Sequence, residues 1–160
     1  HRRAGDEGHV VGTRFSIILP ITEGVADVLA ETTEIAAPTQ RLRILLVDDE
    51  EILRDIGKEM LESLGHEVLT AGNGYECLEI LQHEGPTVDL VILDMIMPGM
   101  DGHHTLVEML KTDMHTKVIV SSGFYHEELL SDIMSSSLVV AQLNKPFNMH
   151  ELSRALAMVC

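Results

Sequence analysis

The stretch Asp89–Gly102, DLVILDMIMPGMDG, decides the reading of this chain. Val88 and Leu90 to Leu93 form an apolar run that stops at a single acid, Asp94. A loop with Pro98, Gly99 and Gly102 follows at once. Such a run fits a strand buried on both faces, the habit of parallel sheets covered by helices. Ligand sites of open α/β sheets lie beyond the C-terminal ends of such strands. Asp94 therefore stands at the mouth of a crevice, although one acid alone would pass for a loop residue or a helix cap.

Three further stretches repeat the plan. In Arg43–Glu51, RILLVDDEE, an apolar run ends in two adjacent acids, Asp48 and Asp49. In Val118–Gly123, VIVSSG, a run ends in hydroxyls. After the run Leu138–Val140, Leu143–Phe147 reads LNKPF, with Lys145 ahead of a proline. Crowded carboxylates repel one another and call for a cation. Oxygen-only ligands suit a hard divalent ion, and Mg²⁺ uses one or two carboxylates together with phosphate oxygens.

Together, Asp48–Asp49, Asp94 with its PGMDG tail, Ser122–Gly123 and Lys145–Phe147 resemble the receiver domain of two-component response regulators. The resemblance runs from about Arg41 to Cys160. It implies that Asp94 accepts a phosphoryl group from a phosphohistidine, presented by a histidine kinase domain or a histidine phosphotransfer protein. It implies Mg²⁺ on Asp49 and Asp94, with Asp48 acting mainly through water and the backbone carbonyl of Ile96 as a further ligand. Lys145 would pair with a phosphoryl oxygen, and Ser122 would donate its hydroxyl to another. Ser121 is the near competitor, set aside because Gly123 follows Ser122 as in the family pattern. Such a domain phosphorylates itself from a donor and carries no ATP site.

The chain in order supports an α/β architecture. Strands are expected at 41–47, 66–70, 88–93, 117–121 and 138–143. Helices are expected at 50–64, 75–82, 103–110, 127–135 and 148–159. Alternating strands and helices give a doubly wound parallel sheet. The flavodoxin-like (βα)5 order, 2-1-3-4-5, would make strands 1 and 3 neighbours and bring the three acids together. Ile52, Leu53, Ile56, Met60, Leu61 and Leu64 mark one buried face of the first helix. Gly65 is read as its C-terminal cap, and Asn148 with Glu151 as a capping box on the last helix.

Residues 1–20 fall outside the receiver pattern. Either they are a meaningless arm, or GTRFSIILP, Gly12–Pro20, resembles the last strand of a histidine-kinase ATP-binding domain. The second reading makes the chain the C-terminal receiver of a hybrid sensor histidine kinase. Residues 21–40, rich in Thr, Ala and Glu, read as a linker, and 41–160 as the receiver. The sequence ends near the last helix, so no output domain is expected within it.

Composition sets further bounds. The net charge is −15, and the part from Arg41 on carries 20 acidic and 8 basic residues. That disfavours nucleic acid, which wants a basic face. No apolar run approaches the ~18 residues of a membrane span, so no membrane contact is expected. Cys77 and Cys160 give neither a disulfide framework nor zinc spacing, as in a reducing cytoplasm. All nine histidines are read as surface residues; His150-Glu151-Leu152 lacks the proline of a kinase phosphoacceptor box. Homodimerisation is left open.

Two rivals are weighed. Haloacid-dehalogenase-type phosphatases also use an aspartyl phosphate but need a second acid where Ile96 stands. A phosphorylation-dead interaction module would not retain every acid and Lys145. One departure from the receiver pattern is Gln142, where the family often carries an aromatic switch residue. Ile96 and Phe124, at positions that flank the site, are apolar and unable to hold a hydrolytic water, so a long-lived phosphoryl group is expected.

Overall fold

Short apolar runs bounded by charged or turn residues build the sheet. The computed structural model describes residues 40–112, 116–123 and 136–159. Among these lie five strands: β1 (Arg43–Val47), β2 (Glu67–Ala71), β3 (Leu90–Asp94), β4 (Lys117–Ser122) and β5 (Val139–Asn144). They form one parallel sheet in the order β2-β1-β3-β4-β5. The described helices are α1 (Glu51–Ser63), α2 (Gly74–Glu84), α3 (Gly102–Lys111) and α4 (Met149–Leu156). This is the doubly wound order expected from the sequence. The helix expected at 127–135 lies outside the described residues, as do segment 1–20, nearly all of 21–40, Phe124 and Cys160.

Side chains alternate across the sheet and so divide the core in two. Leu45, Val47, Val91, Leu93, Val118 and Val120 face Cys77 and Leu81 of α2 and Leu106 and Met109 of α3. Ile44, Leu46, Leu90, Ile92, Ile119 and Leu143 face Leu61 of α1 and Leu152 and Leu156 of α4. Both faces are covered, which is why the strands read as unbroken apolar runs.

The helix ends follow their expected signals. Gly65 N–H reaches the Glu62 carbonyl at 2.9 Å and His66 N–H the Leu61 carbonyl at 3.2 Å, closing α1. Asn148 accepts from Glu151 N–H at 3.0 Å, and Glu151 accepts from Asn148 N–H at 2.9 Å, completing the box on α4.

Two expectations are corrected. The apolar stripe of α1 is buried only in its second half: Leu61 and Leu64 are inside, while Ile52 is 74% and Ile56 50% exposed. The helix closes on the sheet at Gly57, where a Cβ would press against Leu46. Before that point its apolar residues have no strand to cover. The second correction is His66, which is buried rather than on the surface. Its Nδ1 accepts Leu42 N–H at 3.2 Å, which requires an unprotonated Nδ1. Burial pushes its pKa down, in keeping with a neutral ring.

Candidate functional site

β1 and β3 are neighbours in register, Val47 beside Leu93. The next residues, Asp48 and Asp94, therefore emerge side by side, on the face that carries Leu46 and Ile92. Asp49 joins them: one oxygen from each of Asp48, Asp49 and Asp94 lies within 4.8 Å of the others. Asp48 and Asp94 are both only 5% exposed.

Local hydrogen bonds hold this arrangement. Asp48 accepts from Glu50 N–H at 2.9 Å, and Arg54 donates to the Asp48 carbonyl at 2.6 Å. Asp94 accepts from Ile96 N–H at 3.1 Å. The PGMDG tail then has a structural meaning. Gly99 turns the chain at a φ of +80°, a conformation that favours glycine. Asp101 caps α3 by accepting His104 N–H at 2.8 Å. Gly102 packs so closely under β3 that a Cβ would strike the Asp94 carbonyl.

Lys145 arrives from the far side of the sheet. Its backbone N–H donates to the Ser122 carbonyl at 2.9 Å, and its peptide bond to Pro146 is cis. Its ammonium lies 2.6 Å from both Asp48 Oδ2 and Asp94 Oδ2. Burial alone would lower the lysine's pKa; hydrogen bonds to Asp48 and Asp94, together with their charges, outweigh it and raise it. Asp94 is also raised, because burial outweighs the help from Lys145 and Ile96 and the Asp48 charge adds to the burial. Asp48 and Asp94 share one ammonium, with the Asp49 carboxylate close by. An oxygen-only donor set with surplus negative charge fits a hard divalent cation.

The other expected residues fall as follows. Ile96 sits at the rim, 59% exposed. Ser122 is buried at the end of β4, one residue beyond the pairing of Asp94 with Ser121. Ser121 shares the face of Asp94 and lines a cavity of about 590 Å³ with Asp94, Lys145, Leu53, Ile56 and Phe147. Gln142 is exposed and donates to Asn144 at 2.9 Å. Arg54 and the apolar wall from α1 were not anticipated. Nothing in the sequence marks Arg54, six residues past Asp48, whereas the α1 wall is visible there as an apolar stripe with the pattern of a core face.

A parallel sheet with an acidic cluster at its C-terminal edge and a lysine that follows the last strand defines a doubly wound α/β domain with a charged pocket at its strand ends. The response regulator receiver domain family matches residues 44–157, and the chain belongs to that family. It is a receiver of two-component signalling. It is 37% identical over 150 residues to sensor kinase CckA of Brucella abortus, a match covering 89% of this chain and 16% of that protein. It is 32% identical over 114 residues to sporulation initiation phosphotransferase F of Bacillus subtilis, covering 71% of this chain and 90% of that one. The solved response regulator TrrA of Thermotoga maritima, in complex with Mg²⁺–BeF, superposes with a TM-score of 0.63 at 35% identity, covering 74% of this chain and 99% of that one. No helix among the described residues is long and apolar enough to cross a membrane.

Proposed function

We propose that this receiver takes a phosphoryl group from a phosphohistidine onto Asp94. The carrying observation is the shared ammonium: Lys145 touches Asp48 and Asp94 at 2.6 Å, with the Asp49 carboxylate beside them. An Asp94 oxygen attacks phosphorus in line. The new O–P bond forms as the P–N bond breaks, and the imidazole leaves with the electron pair and takes up a proton. Asp48, Asp49, Asp94 and the Ile96 carbonyl would hold Mg²⁺. When bound, the ion offsets the repulsion between the carboxylate and the phosphoryl oxygens. Lys145 follows the charge from the acid pair to a phosphoryl oxygen as a mobile point charge. Ser122, at the end of β4 one residue past the Asp94–Ser121 pair, would donate its hydroxyl to another phosphoryl oxygen.

The donor is the phosphohistidine face of a kinase domain or a phosphotransfer protein. It must set an imidazole over Asp94, so it must also touch what surrounds Asp94. There Ile56 and Ile96 are exposed, and Leu53 and Phe147 line the same cavity as the acid. Ile56→Glu should slow transfer from a phosphohistidine protein more than labelling by acetyl phosphate.

The parent is proposed to be a hybrid histidine kinase in the cytoplasm, with 1–20 the end of its ATP-binding domain, 21–40 a linker and 41–160 the receiver. Support comes from the CckA match, which covers more of the chain than the receiver family alone and so extends ahead of Ile44. The buried free thiol of Cys77 suits a reducing compartment. A receiver from another relay protein is the second reading, favoured by the near full-length match to sporulation initiation phosphotransferase F.

Labelling the chain with acetyl phosphate, with Mg²⁺ or with chelator, tests the core of this reading. Label should require the metal and vanish in Asp94→Asn. Undiminished label in that variant would overturn it. The exposed apolar Ile96 cannot orient a hydrolytic water, so the phosphoryl group should persist and Ile96→Asn should shorten its lifetime severalfold.

A further inference from the structure

Strand order sets a constraint on Lys145. It follows β5, yet its ammonium bonds Asp94 at the end of β3 and Asp48 beyond β1. β4 lies between β5 and β3. The lysine side chain must therefore pass over the end of β4. The residue of β4 on that face, in register with both Asp94 and Leu143, is Ser121.

Ser121 is 2% exposed, and its hydroxyl has no hydrogen-bond partner among the described residues. Nearly all buried polar groups are paired, and an unpaired one is destabilising. Here the hydroxyl lines the same cavity as Asp94 and Lys145. Lys145 carries three N–H donors, and two are engaged by the acids.

We propose that Ser121 is a positioning residue for Lys145: its hydroxyl receives the ammonium when the lysine releases Asp94. The inference rests on the phosphoryl-acceptor reading of Asp94. Asp94 Oδ2 is bonded to the lysine while Oδ1 accepts Ile96 N–H; when the lysine leaves Oδ2 to follow the charge to a phosphoryl oxygen, it needs a polar partner along its path. A hydroxyl at that point supplies a third acceptor, beside Asp48 and the phosphoryl oxygen, for the three N–H donors of the ammonium. The bond absent in the resting state forms as the site turns over. Ser121 is thus distinct from Ser122, which lies one residue further along and on the opposite face of β4.

The test is Ser121→Ala in the full chain, read by two measurements. One is the rate of phosphorylation at saturating acetyl phosphate and Mg²⁺; the other is the urea midpoint without donor. Loss of the unpaired hydroxyl should leave the midpoint unchanged or raise it. Loss of the acceptor should slow phosphorylation by about tenfold. Opposite signs distinguish positioning from a structural role, which would lower both. A rate within twofold of wild type overturns the proposal, and so does slowing accompanied by a fallen midpoint. If wild type itself takes no label on Asp94, the acceptor reading fails instead, so the two failures are separable.

Discussion

Two charge clusters sit at opposite ends of the sheet. At the N-terminal end of β1, Arg43 bonds Glu67 at 2.9 Å and Glu84 at 2.5 Å, and its N–H reaches Asp89 at 2.7 Å. The Arg43 side chain is 25% exposed and its acids are nearly half exposed. At the C-terminal end the Lys145 side chain is 17% exposed, and the side chains of Asp48 and Asp94 only 6% and 7%. Both clusters pair one cation with several acids. Only the second is removed from water, so only there does unbalanced charge persist. Solvent screens the first cluster to a contribution of roughly 0–1 kcal/mol. The lesson is that burial, more than the number of ion pairs, marks the working end of the domain.

Lys145→Ala should break the contrast most severely. It leaves Asp48 and Asp94 buried without their cation, a change of about 3 kcal/mol against folding. Millimolar Mg²⁺ should restore part of that loss, since the metal is assigned to the acids and not to the lysine. Phosphorylation should remain impaired. Chemical denaturation with and without Mg²⁺ checks this, and a loss of metal affinity alongside would misplace the lysine.

Asp94→Asn should have a smaller effect of opposite sign, a gain of about 1 kcal/mol, because it removes an under-compensated buried charge. The Asp94 carboxyl is raised in the folded state, so its charging opposes folding. That opposition is complete above the folded pKa. It fades as pH falls through that value and is gone below the unfolded pKa of roughly 3.9. The advantage of Asp94→Asn should therefore be largest near neutral pH and shrink on acidification. A gain independent of pH would contradict the electrostatic account.

Arg43→Ala should show the smallest effect, below about 1 kcal/mol, with phosphorylation unchanged. A large loss of phosphorylation there would erase the distinction between the two ends.

Much of this site was legible because each functional side chain ends an apolar run. Asp48, Asp94 and Lys145 stand out as charges that terminate buried strands, and order 2-1-3-4-5 brings them together. Register was not legible. Ser121 and Ser122 are adjacent in sequence, and only the pairing of β4 with β3 shows which shares a face with Asp94. Periodicity located the apolar stripe of α1 but could not say that Ile52 and Ile56 stay exposed, since a stripe reports a face and not what covers it. His66 lacked any pattern of its own; its burial follows from a long-range bond to Leu42.

The central claim is that the buried, under-compensated carboxylate of Asp94 is the phosphoryl acceptor. Borohydride reduces an aspartyl phosphate to homoserine, which peptide mass spectrometry locates after labelling with acetyl phosphate and Mg²⁺. Homoserine at position 94 alone is the predicted result. Homoserine at 48 or 49, or an acid-stable phosphate on Ser121 or Ser122, would contradict it.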